Sequence, residues 1–220
     1  VLAGSALAAT MASCGGGGGA GSTSGDTLTV GIKYDQPGLG QKVGEDYKGL
    51  DVDVAKYVAK ELGFEGDKVI FKETPSAQRE TAIQGGQVGL IFATYSITDA
   101  RKEKVSFAGP YFVAGQDLLV KADNSDITGP ETMKDKTLCS VTGSTPAEKI
   151  KKEYATTVKL FEQDTYSKCV EALVGGTVDA VTTDNVILAG FAAQPQYAGK
   201  LKVVGKPFST ERYGVGLKKG

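Results

Sequence analysis

Apolar and polar positions along this chain follow two periods, one suited to strands and one to helices. Residues 27–32 (TLTVGI) and 68–72 (KVIFK) read as strands. Residues 88–93 (VGLIFA) are continuously apolar, which predicts a strand of a parallel sheet covered on both faces. Residues 49–63 (GLDVDVAKYVAKELG) carry Val54, Tyr57, Val58 and Leu62 on one predicted helical face. Asp51 and Asp53 sit in its first turn, where the helix dipole favours acids, and Gly63 is a natural stop. Residues 76–84 predict a short helix ended by Gly85-Gly86. Further on, strands are expected at 138–141, 158–161, 177–181 and 213–217, and helices at 146–154, 166–174 and 185–191. Strands alternating with helices in this way predict an α/β fold.

An internal echo divides the chain. Residues 82–89 (AIQGGQVG) resemble residues 172–179 (ALVGGTVD): a helix ends at Gly-Gly and a strand follows at once. Each strand leads into a polar cluster, Thr94-Tyr95-Ser96 in the first unit and Thr182-Thr183-Asp184 in the second. Ligands in open α/β sheets bind beyond the carboxyl ends of strands. Two such units are expected to form two lobes facing one cleft. The plain alternative is that helix-Gly-Gly-strand is a common connection.

Composition then narrows the chemistry. The chain has 220 residues and no His, which excludes Ser-His or Cys-His nucleophile pairs and His-ligated zinc. Three Cys are too few for a four-thiolate zinc site, so no metal and no cofactor are expected. With 25 Lys+Arg against 26 Asp+Glu there is no basic excess for phosphate contacts, so no nucleic-acid partner is expected. Residues 1–13 (VLAGSALAATMAS) read as the end of a signal peptide, too short to span a bilayer. Met11-Ala12-Ser13-Cys14 resembles the lipobox of bacterial lipoproteins, and the Gly/Ser tether that follows suits a domain anchored through a lipid on Cys14. In an exported protein the remaining Cys139 and Cys169 are expected to bridge, the alternative being two buried thiols.

Four blocks, in order, resemble the family 3 extracellular solute-binding proteins, the polar amino-acid receptors of ABC importers. They are GLDVDV at 49–54, TDAR at 98–101 followed by FAGPY at 107–111, VTGST at 141–145, and DAVTTD at 179–184. YDQPGLG at 34–40, SAQRET at 76–81 and the pair Cys139 and Cys169 are similar to the glutamate-binding lipoproteins of actinobacteria within that family. The resemblance implies a two-lobe periplasmic-binding-protein-like fold of type II, with two crossover strands and the ligand in the interlobe cleft. It implies a leader, lipobox and tether at 1–26, lobe 1 at 27–110 plus 213–220, lobe 2 at 116–207, and hinges at about 111–115 and 208–212. The family pattern continues past the strand at 213–217 with helical segments that complete lobe 1, so the chain is expected to be a fragment at that end.

The implied function is binding of an acidic amino acid, L-glutamate first, and its delivery to an ABC permease by cleft closure. The protein is then a monomeric, lipid-anchored receptor on the outer face of the cell membrane. Arg101 can clamp the α-carboxylate through two parallel hydrogen bonds, which Lys cannot reproduce; otherwise it is a solvated arginine. Thr94 and Ser96 offer a carbonyl and a hydroxyl near the ammonium and carboxylate. Ser144 and Thr145 open a helix and can meet an anion or simply cap it. Asp184 is the acceptor for the α-ammonium, or else an N-cap. Lys33 and Arg79 are the readers of a side-chain carboxylate, with Tyr166 facing them from lobe 2; Lys33 could instead be an exposed strand-end lysine. Two readings stay open beside this one, a receptor for glutamine or aspartate and a dehydratase-like enzyme on the same fold.

Overall fold

The computed structural model describes residues 23–154 and 156–220. The expected leader, the expected lipidation site Cys14 and the part of the expected tether up to residue 22 lie outside the described residues. The chain opens with β1 (Thr23–Ser24) and β2 (Thr27–Ile32), then a small excursion of β3 (Asp35–Gln36), β4 (Gly40–Val43) and β5 (Asp46–Lys48). There follow α1 (Leu50–Glu61), β6 (Val69–Glu73), a single 3-10 turn at Ser76–Gln78 running into α2 (Arg79–Gln84), β7 (Leu90–Phe92), α3 (Asp99–Lys102) and the long β8 (Ser106–Ala114). The second half holds β9 (Gln116–Lys121), β10 (Thr137–Val141), α4 (Thr145–Glu153), β11 (Lys159–Gln163), α5 (Tyr166–Val174), β12 (Ala180–Asp184), α6 (Asn185–Ala192), β13 (Leu201–Val203) and β14 (Glu211–Leu217).

Each half builds its own sheet. The first runs β1-β2-β7-β14-β8, with β6 also paired to β2. The second runs β11-β10-β12-β9-β13. β2 is parallel to both β6 and β7, but β14 joins β7 and β8 antiparallel. The expected parallel sheet around residues 88–93 is therefore mixed, because β14 returns from the other half. Its strand also stops early: Thr94 takes φ 45°, a left-handed conformation that a ladder cannot continue. β12 starts later and runs further than the expected 177–181. Thr182, Thr183 and Asp184 lie inside it, held antiparallel against Leu118, Asp117 and Gln116 of β9. An apolar-run reading stops at Val181 because it cannot see the pairing partner.

The buried face of α1 also differs from expectation. Tyr57 and Leu62 are 66% and 56% exposed, and the helix turns Asp51, Val52, Ala55 and Ala59 inward. These small side chains let α1 lie close on Leu28, Val30 and Ile32 of β2. The second lobe has a separate core, in which Leu118, Leu138 and Ala180 meet α4, while Val141, Val170, Leu173 and Leu188 pack the opposite face. Cys139 of β10 and Cys169 of α5 are joined by a disulfide with Cα atoms 5.5 Å apart. The bridge spans 30 positions, and a closed loop of that size contributes about 3–4 kcal/mol in the chain-entropy picture.

The chain passes between the sheets twice, side by side. Ala114 at the end of β8 pairs with Glu211 at the start of β14. Just beyond, the Gln116 amide donates to Ser209 Oγ at 3.0 Å and the Phe208 amide to the Gln116 carbonyl at 2.8 Å. The β3–β5 excursion is tied to the first half by the Leu50 and Asp51 amides, which donate to the Gly38 and Leu39 carbonyls, yet Leu39 is buried in the second lobe's core.

Candidate functional site

Strand ends and helix starts from both lobes converge between the two sheets. Arg79, Asp184, Lys33 and Arg101 are only 2%, 3%, 5% and 8% exposed, values that charged side chains reach only with partners. Lys33 follows β2 and donates from Nζ to Ser76 Oγ at 2.8 Å. Burial, with the Arg79 and Arg101 guanidiniums nearby, brings its ammonium from the usual 10.5 down to about 7; Asp35 and Glu73 oppose this. It is not an exposed strand-end lysine.

Arg79 opens α2 and donates from Nη1 to the Ala93 carbonyl at 3.0 Å. Its guanidinium lies 4.3 Å from the Tyr95 ring centre. Burial first, then Arg101, lower it to about 10. Arg101 is set by α3, whose N-cap Thr98 accepts from the Arg101 amide. Its Nη1 donates to the Ser96 carbonyl at 2.7 Å and Nη2 to the Gly143 carbonyl at 3.1 Å, while Nε faces Glu80 at 3.4 Å. This leaves one N–H on each terminal nitrogen for a further acceptor. Arg101 is thus a buried, positioned side chain and not a solvated one. Tyr95 lies under both guanidiniums, 5.0 Å from that of Arg101.

Several expected hydroxyls are already engaged. Thr94 Oγ1 is within 2.8 Å of the Ala93 carbonyl and 3.2 Å of Gln36 Oε1. Ser144 accepts from the Ala147 amide at 3.1 Å, so it does cap α4. Thr145 donates to Glu211 Oε2 at 3.0 Å and lies 3.4 Å from Ser96 Oγ. Gly143 has φ 75°, and a Cβ there would come within 2.8 Å of Ala77 Cα on the first lobe, so the lobes meet closely at this loop.

Asp184 ends β12 and makes no side-chain cap to α6. Its Oδ2 accepts from the Tyr213 hydroxyl at 2.6 Å. Burial, then the Glu211 carboxylate, raise it to about 7, against the pull of Tyr213, Arg79 and Arg101. Tyr166 opens α5, and burial followed by the Asp184 charge pushes its phenol to about 12. Among the described residues Asp184 Oδ1, Thr183 Oγ1 and Arg79 Nε are buried without a hydrogen-bond partner. Unpaired buried polar atoms are costly, and these belong to an acceptor, a hydroxyl and a donor of the same chamber.

Other residues complete the site without having been assigned to it from sequence. Asp51 accepts from the Thr94 amide at 2.9 Å and the Tyr111 hydroxyl at 2.7 Å, so it holds Thr94 in its left-handed conformation. Burial raises Asp51 to about 6 despite those two bonds. Tyr213 and Glu211 come from β14, and Gln36 from the excursion. Tyr95 was legible in principle, since it lies inside the Thr94-Tyr95-Ser96 cluster; the others owe their place to partners far away in sequence.

Buried charged groups from two α/β lobes thus meet between the sheets, an arrangement suited to holding a small charged ligand. The chain belongs to the bacterial extracellular solute-binding proteins, family 3, whose pattern matches residues 28–174. It is 49% identical to the glutamate-binding protein GluB of Corynebacterium efficiens, covering 100% of this chain and 77% of that one. It is 39% identical to the glutamine-binding protein of Geobacillus stearothermophilus, covering 87% of this chain and 72% of that one. Among solved structures, an ancestral arginine-binding protein bound to arginine superposes with a TM-score of 0.82 at 37% identity, covering 89% of this chain and 85% of that one.

Proposed function

We propose that this protein is an extracellular receptor for an acidic amino acid, L-glutamate, which it hands to an ABC-type permease as the closed form. The observation that carries this reading is the set of groups left open to a ligand: the buried cations Lys33, Arg79 and Arg101 and the unpaired oxygen of Asp184, the neighbouring acids Asp51 and Glu211 being already hydrogen-bonded. Glutamate brings two carboxylates and one ammonium, the complementary set. Arg101 takes the α-carboxylate, Asp184 the ammonium, and Lys33 with Arg79 the side-chain carboxylate. Thr94, Ser96, Ser144, Thr145 and Tyr166 shape the walls and hold these groups. A cationic pocket of this kind also rejects cationic ligands. The name of the GluB relative supports the same choice.

Closure populates because only the closed form touches the ligand from both lobes. The hinges are the paired segments at about 111–115 and 208–212, between lobe 1 at 27–110 plus 213–220 and lobe 2 at 116–207. A receptor is favoured over a dehydratase because the other buried acids are committed. Asp51 is bonded through both oxygens to Thr94 and Tyr111, and Glu211 to Ser209 and Thr145. A general acid or base needs a free, positioned group.

Paired titrations with glutamate and glutamine test the ligand. Removing one partner of a desolvated charge pair weakens binding by about 30-fold or more. Arg101→Ala is expected to weaken both ligands alike. Arg79→Ala and Lys33→Ala are expected to weaken glutamate far more than glutamine. An unchanged glutamate-to-glutamine ratio in both variants overturns the side-chain pocket. The protein acts as a monomer held to the membrane by a lipid on Cys14, and Cys14→Ala is expected to move it from the membrane fraction to the medium; retention in the membrane refutes the anchor.

A further inference from the structure

The excursion after β2 makes contacts that the amino-acid chamber does not require. Helix α5 begins without a backbone cap from its own neighbourhood: Thr165, at its N-cap position, accepts no first-turn N–H, and its Oγ1 instead lies 3.1 Å from Ser167 Oγ. The acceptor comes from the other lobe. Asp35 Oδ2 accepts from the Ser167 amide at 2.9 Å and from Ser167 Oγ at 3.1 Å, across 132 positions of sequence. An acid at a helix start is favoured both by the free N–H groups and by the dipole.

Two further contacts fall on the same short segment. A Cβ built on Gly190 of α6 would collide with the Pro37 carbonyl oxygen. Leu39 is buried in the second lobe's core with Ile187, Leu188 and Phe191. The segment is meanwhile fixed to the first lobe, since the Leu50 and Asp51 amides at the start of α1 donate to the Gly38 and Leu39 carbonyls, each at 3.0 Å. Asp35, Pro37 and Leu39 therefore move with lobe 1 and dock on α5 and α6 of lobe 2. When the lobes separate, all three contacts are lost together, and the first turn of α5 loses its cap.

We propose that residues 35–39 form a clasp, in which Asp35 is a positioning residue that caps α5 only in the closed form and so sets how slowly bound ligand escapes. Asp35 borders the small pocket that Lys33 and Tyr166 also line, and its bonds go to Ser167 of α5, the helix whose first residue is Tyr166. The clasp rests on cleft closure around an amino acid and not on which amino acid is bound.

The test compares wild type with Asp35→Ala, Asp35→Asn and Gly190→Ala. Wild type is first titrated with each of the twenty amino acids, and the tightest binder is used throughout. Loss of an N-cap corresponds to about a 2- to 30-fold change in an equilibrium. Asp35→Ala is expected to speed dissociation by about that factor while the association rate stays within about 2-fold. Asp35→Asn is expected to restore most of the slow release, because Asn caps as well as Asp. Gly190→Ala favours the helix itself, so its unliganded melting temperature should hold or rise while affinity falls about 10-fold or more through the clash with Pro37. Wild-type dissociation in Asp35→Ala and Gly190→Ala overturns the clasp. So does an Asp35→Asn as fast as Asp35→Ala, which would point to the charge beside Lys33 rather than the cap. A tightest binder other than glutamate overturns the glutamate reading alone, since the clasp is still decided by the variants.

Discussion

At the scale of single residues, the chamber holds one acid and one amine whose ordinary charges are both disfavoured by burial. Asp184 is raised to about 7, so in the free protein its carboxylate forms only as pH climbs through that value. Lys33 is lowered to about 7, so its ammonium is lost as pH climbs through the same value. For the free fold, burying Asp184 as an anion is unfavourable above about 7 and costs nothing below the ordinary carboxylate range; burying Lys33 as a cation is unfavourable below about 7 and costs nothing above its ordinary 10.5. A bound glutamate reverses both preferences, because its ammonium favours ionised Asp184 and its side-chain carboxylate favours protonated Lys33. Affinity is therefore expected to peak near pH 7 and fall on both sides. Lys33→Met should flatten the alkaline limb, and Asp184→Asn should flatten the acid limb, leaving a smaller loss near pH 6 where Asp51 takes a proton and loosens its hold on the Thr94 amide. Calorimetric titrations across about two pH units on either side of neutrality measure this. A flat wild-type profile, or an alkaline limb that survives in Lys33→Met, would show that these two groups do not meet the ligand.

At the scale of elements, the sequence was most readable where structure is local. The Gly-Gly stops after α2 and α5 lie where the chain must turn back into a strand, and the alternation of strand and helix follows from hydrophobic period alone. Lys33, Arg79, Arg101 and Asp184 stood out through the blocks that resemble the solute-binding family; from the residues alone Arg101 also read as solvated, Lys33 as exposed and Asp184 as an N-cap. What stayed hidden depends on groups distant in sequence. The inward face of α1 includes an acid, Asp51, whose burial makes sense only with Thr94 and Tyr111 in place. A reading that looks for apolar side chains instead turned Tyr57 and Leu62 inward, and both are exposed. β12 ran past its apolar part because β9 pairs with Thr182 to Asp184. The β3–β5 excursion is polar and glycine-rich, so no hydrophobic period announces it, yet it carries the clasp. Tyr213 and Glu211 reach the chamber only because β14 returns beside β8, a fact of topology with no local signature.

At the scale of the whole molecule, the decisive feature is that the two lobes have separate cores. Val30, Val52 and Phe92 belong to one cluster, Leu138, Leu118 and Ala180 to another, and Leu39, held by lobe 1, is a buried apolar side chain packed in the core of lobe 2. Cooperative unfolding requires that the loss of one unit destabilise the other. Here that linkage runs through the paired crossings, the clasp, the Arg101–Gly143 bond and the Tyr213–Asp184 bond. All but the crossings exist only when the lobes are together, so the unliganded protein in solution should unfold as two loosely linked units. A ligand bonded to both lobes adds its binding free energy to the folded, closed form alone. At about 100 times its dissociation constant this is about 2.7 kcal/mol, or roughly 5–10 °C in melting temperature for a chain of this size. Scanning calorimetry on the full chain, with and without glutamate, measures both the shift and the linkage. Without ligand the calorimetric enthalpy should exceed the van't Hoff enthalpy; with ligand the two should approach each other as the lobes melt together. Arg101→Ala, which loses both its ligand contact and its bond to the Gly143 carbonyl, should show neither the shift nor the convergence. Equal enthalpies in the unliganded wild type would mean that the lobes are already one cooperative unit, and that closure does not wait for the ligand.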